Sequence, residues 1–511
     1  MRDHQPIAIT EFGGLWARGD PESCPLDHFT DCNNIKYIQS GFATRDGLNI
    51  FPPAGTPGSV QQVVRHYTYV HNDQESLIVL DNLGNIYHVI PGVSTTLILT
   101  IAAMTDFDMV NVAGRAYISP SDGVTGLQNE FLYVYMGDGN PARKAAGAGP
   151  TTSMTTTLVF PGHVEAGVHL FGVVYETDTG FLTGFDPLLS TDNIIGTNTH
   201  AVSCTNVPIS PDSFVVARHI IASKAINPTL YTGDKKGYQY FFVPNGKIND
   251  NTGNTITVDF FDADLLEDAS HLLDNFEEIP AFVALSTYHD RLVGVAEWGD
   301  PTDDDDFVKV STARVSAKGE PEAISQVDGL IVAPLDGTPL TNAQEYRDVL
   351  YLFKNTRTFS YNDNDDTPAT WPGITIDQGA GCSVHGIAEV LDSGGINVEF
   401  CIITNYSGVM IFNGSFARPE LSWKVEDFWM ALKSQDDHVT RLAFSHVQIM
   451  NDALSKRLYI TLPTFKILYA DYGDGLDPKN IKWCPWEFPF SVTTITMMNI
   501  NQLIIGAKTV P

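Results

Sequence analysis

Positive charge is scarce in this chain: 30 Lys and Arg stand against 61 Asp and Glu over 511 residues, a formal net charge of -31. Affinity for nucleic acid comes largely from cationic side chains that displace condensed counterions, so this balance argues against a protein that grips DNA. A negative wall past which a duplex slides without sticking stays compatible with it. Cysteine is sparse and scattered: Cys24, Cys32, Cys204, Cys382, Cys401 and Cys484 form no C-x-x-C pair. That argues against a zinc knuckle and a disulfide-dense scaffold, and predicts buried free thiols. The opening MRDHQPIAITEF lacks the basic and apolar blocks of a signal peptide, and the most apolar later stretch, TLILTIAAM at 96–104, is too short to cross a bilayer. The expectation is a protein made in a cytoplasm, with no membrane insertion and no Sec export. Enzyme fingerprints are missing too: there is no GxSxG, HExxH, P-loop or Rossmann motif, and the 14 histidines are dispersed. The adjacency of His289 and Asp290 does not make a catalytic dyad. The chain is therefore expected not to be an enzyme, and no catalytic, cofactor-binding or metal-ligating residue is assigned.

What the sequence does contain is one recurring hairpin. In LYLFKNTRTFSY (350–361), two β-prone runs flank a polar Lys354 to Arg357. Similar units stand at 77–90, 131–144, 401–414 and 457–472, and a looser copy pairs RLVGVAEW (291–298) with FVKVS (307–311). From Leu292 the later units start at Leu350, Cys401 and Leu458, intervals of 58, 51 and 57, while Leu77 to Leu132 spans 55. A period a little above 50 residues with strands throughout is the length of a four-stranded propeller blade. The gap from Leu132 to Leu292 exceeds one blade by about 105 residues, the size of an immunoglobulin-like or fibronectin type III sandwich. The fold class predicted is all-β, a propeller of about six to seven blades. Residues 1–150 hold the N-terminal strand and first blades, 151–280 an inserted sandwich, and 281–511 the remaining blades.

Within those bounds, the small-residue run GAGPTTSMTTT (147–157) marks the entry to the insert. Strands are expected at 213–223, 238–246 and 256–261, and 164–188 reads as a hairpin about an Asp-Thr-Gly turn. The insert should end in a helix, because Leu265, Leu266, Ala269, Leu272, Leu273 and Phe276 fall on one helical face, with Asp264 and Glu267 as a capping box. A second short helix is expected at 426–435. The final stretch, 491–508, is too short for a full blade, and the strand at Ile7 to Phe12 is expected to complete it and close the ring.

The first 50 residues carry a further pattern: Gly14-Leu15-Trp16, the Arg18-Gly19 pair, Pro25 to Asp31, Asn33 to Ile35, and Gly41 followed by Thr44-Arg45-Asp46-Gly47. This order resembles the N-termini of β-propeller tail proteins of tailed bacteriophages, most closely the tail nozzle, or tail tubular, proteins of short-tailed phages. The strand pair from Val164 and the Arg291-Leu292 pair are similar to pieces of the same proteins. Gly41 and Gly47 are expected to supply turns, and Arg45 to pair with nearby acids. The resemblance implies a structural virion protein: a homohexameric ring below portal and adaptor that extends the DNA exit channel, helps hold DNA, and attaches spikes or fibres. Genomic DNA would then be transiting cargo. Arg18-Gly19-Asp20 matches an adhesion tripeptide, a three-residue coincidence inside this pattern.

The competing reading is a glycan-binding or glycan-cleaving propeller used in host adsorption, with Trp483 and Trp486, beside Cys484 and Glu487, stacking on a sugar. Three acidic loops, Asp300 with Asp303 to Asp306, Asp363 with Asp365 and Asp366, and Asp471, Asp474 and Asp477, lack the twelve-residue calcium pattern and read as solvated turns.

Overall fold

The computed structural model describes residues 14–17, 24–25, 28–29, 32–38, 41–45, 62–123, 126–273, 278–299, 306–325, 327–364, 367–391, 398–435, 447–462, 466–498 and 502–508. The strand expected at 7–12, the Arg18-Gly19-Asp20 tripeptide, Gly47 and Phe276 lie outside them, as do Asp300, Asp303 to Asp305, Asp365 and Asp366.

The hairpins assemble into seven antiparallel sheets. In chain order the first two sheets are Val63–His71, Gln74–Asp81, Asn85–Ile90, Ser94–Thr100 and Asp106–Val112, Arg115–Ser121, Tyr133–Tyr135, Arg143–Lys144. The third is Phe282–Tyr288, Arg291–Glu297, Thr312–Ala317, Glu320–Ile324, with Leu330–Ile331 added to it, and the fourth Leu340–Tyr346, Val349–Lys354, Thr358–Tyr361, Gly373–Asp377. Three strands form the fifth (Ile387–Leu391, Val398–Asn405, Gly408–Phe412), four the sixth (Ile449–Asp452, Arg457–Thr461, Lys466–Asp471, Lys482–Glu487) and two the seventh (Ser491–Met498, Gln502–Lys508). Each is a meander, because short turns let consecutive strands pair. In the first four sheets the opening turn is a two-residue left-handed pair: Asn72-Asp73, Ala113-Gly114, His289-Asp290 and Arg347-Asp348, all at positive φ. Such turns match the right-handed twist of the strands they join.

Side-chain bonds link the sheets in sequence and bring the seventh back to the first. Tyr67 reaches Asp108, Asp108 takes the Leu285 N–H, and Glu345 takes the His289 N–H. Asn342 donates to the Val384 carbonyl, Asn451 to the Glu389 carbonyl, and the Ile495 N–H to Gln448. Thr68 then donates to the Met497 carbonyl at 2.8 Å and Thr493 to the Val63 carbonyl at 2.7 Å. The chain is all-β, a closed β-propeller ring of seven sheets among the described residues.

Several expectations need correction. The units at 77–90, 350–361, 401–414 and 457–472 are second and third strands of their sheets, but 131–144 holds the third and fourth strands of the second sheet. The interval of 55 therefore compared unlike strands; Gln74 to Arg115, the true second-strand starts, lie 41 apart. The partner of Arg291–Glu297 is Thr312–Ala317, whereas Lys309–Ser311 is a 3-10 turn. Gly41 lies within a strand, paired with Ile38. Gln435 ends the expected short helix, Glu426–Gln435, the sole α-helix among the described residues.

Between the second and third sheets the chain builds a separate two-sheet unit. One sheet has the order Thr155–Val164, His200–Thr205, Thr255–Val258; the other Thr191–Ile195, Gly167–Thr177, Val215–Ala222, Phe241–Ile248. Phe171, Val173 and Tyr175 pack against Val202, Cys204 and Val258 in the core between them. The 164–188 hairpin shortens to a single bridge, Glu176 to Leu182, beyond its turn. Entry and exit lie side by side, since the Leu132 N–H bonds the Ile279 carbonyl and the Ala281 N–H the Glu130 carbonyl.

The helix expected at 264–276 does not form over its described part. Residues 262–264 and 270–273 are 3-10 turns, and the stretch between them lies along the edge of Phe241–Ile248, with Phe242 N–H to Glu267 O at 2.9 Å and Ala269 N–H to Tyr240 O at 2.8 Å. Gly167–Thr177 is buried on both faces, and its second face, carrying Leu170 and Val174, needs a cover. Ala269 and Leu272 supply it, while Leu266 points out at 82% exposure. The apolar spacing encodes burial against a sheet, and Asp268, which takes the Ser270 N–H, favours a turn over a helix interior.

Candidate functional site

The first strand of each sheet lies nearest the axis, and strand alternation turns every second side chain the same way. On Val63–His71 this places Arg65 and Tyr67 together; on Asp106–Val112 it places Asp106 and Asp108 together. Arg65 grips Asp106 in a fork, Nε to Oδ1 at 2.7 Å and Nη2 to Oδ2 at 2.9 Å, and its Nη1 reaches Gln448 Oε1 at 3.2 Å. His385, ahead of the fifth sheet, meets Asp106 Oδ2 at 2.9 Å and the Tyr67 hydroxyl at 3.1 Å. Tyr67 donates to Asp108 Oδ1 at 2.8 Å, and Asp108 Oδ2 accepts the Leu285 N–H at 2.7 Å. Gln448 Oε1 also accepts from Thr494 Oγ1 at 2.9 Å.

With Thr494, seven side chains and the Leu285 N–H tie together strands of the first, second, third and seventh sheets and the segments leading into the fifth and sixth. The second and fifth sheets stand three places apart, as far as a ring of seven allows, so the Asp106 to His385 contact spans the axis. Arg65 is 2% and Asp106 3% exposed. Burial alone would raise the Asp106 carboxyl, but the Arg65 guanidinium and His385 outweigh it and hold that carboxyl far below the usual carboxylate range. Asp108 lacks a guanidinium fork, and burial keeps its pKa raised despite His385 and the Leu285 N–H. Burial and the Arg65 charge push neighbouring His66 down to about 3. Each carboxylate oxygen of Asp106 and Asp108 has a protein partner, so the cluster fastens the sheets and closes the axis rather than presenting a reactive group.

A second arrangement involves the residues that carry the N-terminal pattern. Leu15 N–H bonds the Trp483 carbonyl at 3.0 Å, and Asn34 N–H the Pro485 carbonyl at 2.9 Å. Asn34 Oδ1 accepts both the Glu487 N–H at 2.9 Å and Arg45 Nε at 3.0 Å. Arg45 also bonds the Glu487 carbonyl and covers the Phe488 ring at 4.5 Å. These contacts of Arg45 are with an amide, a carbonyl and a ring. The pattern clasps the outermost strand of the sixth sheet.

The remaining sequence candidates separate. Trp483 is fully buried, its Nε1 bonded to the Leu421 carbonyl, and Trp486 stacks on Tyr469 at 4.7 Å with its Nε1 on the Ile35 carbonyl. Trp483 is therefore spent inside the fold, while the half-buried Trp486 is held against Tyr469. Asp474 pairs with Lys482, Asp477 takes the Lys479 N–H and Asp471 the Gly473 N–H, so the third acidic loop does not converge. Asp363 meets Arg291 at 3.1 Å. All six cysteines are free thiols, four of them buried. No helix among the described residues is long and apolar enough to cross a membrane.

Sequence reasoning missed the axial cluster. Its signal was charge at alternate positions of otherwise strand-like stretches, Arg65-x-Tyr67 and Asp106-x-Asp108; His385 and Gln448 lie outside strands and had none.

No protein-family model and no curated protein matches the chain. Among solved structures, BamB from Moraxella catarrhalis is 9% identical over 87% of this chain and 93% of its own, with a TM-score of 0.33. Hsv2 from Kluyveromyces lactis is 10% identical over 88% and 99%, with a TM-score of 0.26.

Proposed function

We propose that this chain is a structural subunit of a short-tailed bacteriophage tail, a nozzle-type protein whose copies ring the DNA exit channel below portal and adaptor and offer attachment for spikes or fibres. The observation that carries the proposal is the clasp on the sixth sheet. The residues that give the N-terminus its resemblance to tail nozzle proteins, Leu15, Asn34 and Arg45, serve the fold through backbone and amide contacts. A pattern of turns without chemistry suits a structural protein.

The axial cluster gives the reading a physical form. Among the described residues, side chains bonded to one another fill the centre of one copy, so a channel for DNA is framed by several copies, and the resemblance sets their number at six. With -31 on each copy, a lumen that shares this charge repels the duplex backbone and lets it slide. The two-sheet unit between the second and third sheets is read as a fibronectin-like module: it has seven strands, three facing four, as such sandwiches do. In this reading it is the platform for tail partners. No enzymatic step is assigned.

Light scattering of the purified protein, followed by imaging, tests the proposal. It predicts a ring of about six copies whose lumen does not retain duplex DNA at physiological salt. Tight retention of DNA would contradict the repulsive lumen, and specific glycan binding or cleavage by a persistent monomer would favour the adsorption reading.

A further inference from the structure

The left-handed turns that open the third and fourth sheets meet at one edge of the ring. Tyr288 donates its hydroxyl to the Asp348 carbonyl at 3.2 Å and accepts the Asp363 N–H at 3.1 Å, so the Tyr288 side chain ties the third sheet to the backbone of the fourth. At this junction His289 Nε2 stands 3.7 Å from Glu345 Oε1 and 3.6 Å from Asp348 Oδ1. Among the described residues these three form the sole group of His, Cys, Asp or Glu whose ligand atoms converge, all within 4.8 Å of one another.

The donors are held in place by groups other than each other's ligand atoms. The His289 ring stacks on Tyr288 at a centroid distance of 4.1 Å and 18° between planes, which fixes its orientation. Glu345 Oε2 accepts the His289 N–H at 3.1 Å, leaving Oε1 turned towards the imidazole. No Lys or Arg among the described residues forms an ion pair with either carboxylate; His289 is the partner of both. Two carboxylates gathered on one imidazole, in a chain already at -31, make an arrangement that a small dication balances.

The geometry points to a surface site for a divalent transition-metal ion, zinc(II) or a congener, bound by His289 Nε2, Glu345 Oε1 and Asp348 Oδ1 and completed by water. An ion about 2.0–2.2 Å from each donor in tetrahedral angles sets the donors about 3.4 Å apart. The observed 3.6 and 3.7 Å, and a separation within 4.8 Å between the two carboxylate oxygens, close to that with side-chain rotation, freest at the exposed Asp348. One nitrogen with two oxygens selects transition ions over calcium, which prefers six to eight oxygens. Its effect would be a staple between the third and fourth sheets at a rim where Asp348, 91% exposed at its side chain, lies open to solvent.

The test is calorimetric titration of the untagged chain with zinc(II), with cobalt(II) as a coloured substitute and calcium as the comparison. The site predicts one saturable zinc(II) equivalent, a visible cobalt(II) spectrum of low-symmetry nitrogen and oxygen ligation, and calcium binding at least tenfold weaker. Asp348→Asn is so exposed that folding should be untouched, and it should weaken zinc(II) tenfold or more; His289→Ala should abolish both that equivalent and the cobalt colour. Wild-type stoichiometry and affinity in both variants, or calcium bound as tightly as zinc(II), would overturn the assignment, as would the lack of any saturable equivalent.

Discussion

Replacing Asp106 by Asn removes the anion that Arg65 grips while keeping the shape of the site. Both partners are almost wholly buried, Arg65 by two charge-assisted bonds to this carboxylate, so the variant leaves a guanidinium without a counter-charge on the ring axis. Breaking a buried pair from one side costs about 3–5 kcal/mol, because the remaining charge keeps its desolvation penalty and loses its compensation. Loss of the His385 contact to Oδ2 adds to this. Urea denaturation followed by tryptophan fluorescence reads the cost as a lowered midpoint. Arg65→Met should cost a similar amount alone, and the Arg65→Met, Asp106→Leu pair should cost clearly less than the two single losses together, since it removes both charges. A single-variant loss below about 1 kcal/mol, or strict additivity in the pair, would refute a buried axial fastening.

Stability should fall with acid from about pH 6.5 downward. Burial and Arg65 lower His66 to about 3, and burial with His71 lowers His88 to about 4, both below the unfolded value, so their neutral forms stabilise the fold fully above pH 6.5 and that contribution is lost as pH falls towards those values. Each contributes a slope of about 1.4 kcal/mol per pH unit in the middle of that window, and denaturation midpoints at pH 6.5, 5.5 and 4.5 should show His66→Leu with roughly half the wild-type slope. Gly381→Ala sets a methyl 1.8 Å from the Lys354 carbonyl oxygen, at a point where the Cys382 N–H bonds that carbonyl, so a loss of about 3 kcal/mol is expected in thermal melts. Trp483→Ala should lower stability by about 3–5 kcal/mol, and a glycan array should report the same signal for folded variant and wild type.

Much of the propeller was legible because its second and third strands are apolar runs at a steady spacing, as at Leu350 to Tyr361. The second sheet escaped because its Arg115–Ser121 strand, RAYISPS, is short of the apolar run that marks the others, while the later Tyr133–Tyr135 strand has one. The helix misread at 264–276 shows the limit of periodicity: Leu265, Ala269 and Leu272 are buried at helical spacing, but a sheet face needing cover decided their conformation. The axial cluster was illegible for another reason. Its bonded partners are 41 to 383 residues apart along the chain, as Arg65 with Asp106 and with Gln448 shows, and only ring closure brings them together. The metal-binding tips were hidden likewise, since His289 and Glu345 belong to different sheets and no local spacing pairs them.

Imaging of the purified protein in concentrated solution, with its mass measured in parallel, tests the central claim most directly. The account predicts rings of about six copies around an open lumen, in which each copy shows a seven-sheet propeller closed at its own axis. A monomer at every concentration, or an assembly whose only passage runs through the centre of a single propeller, would contradict it.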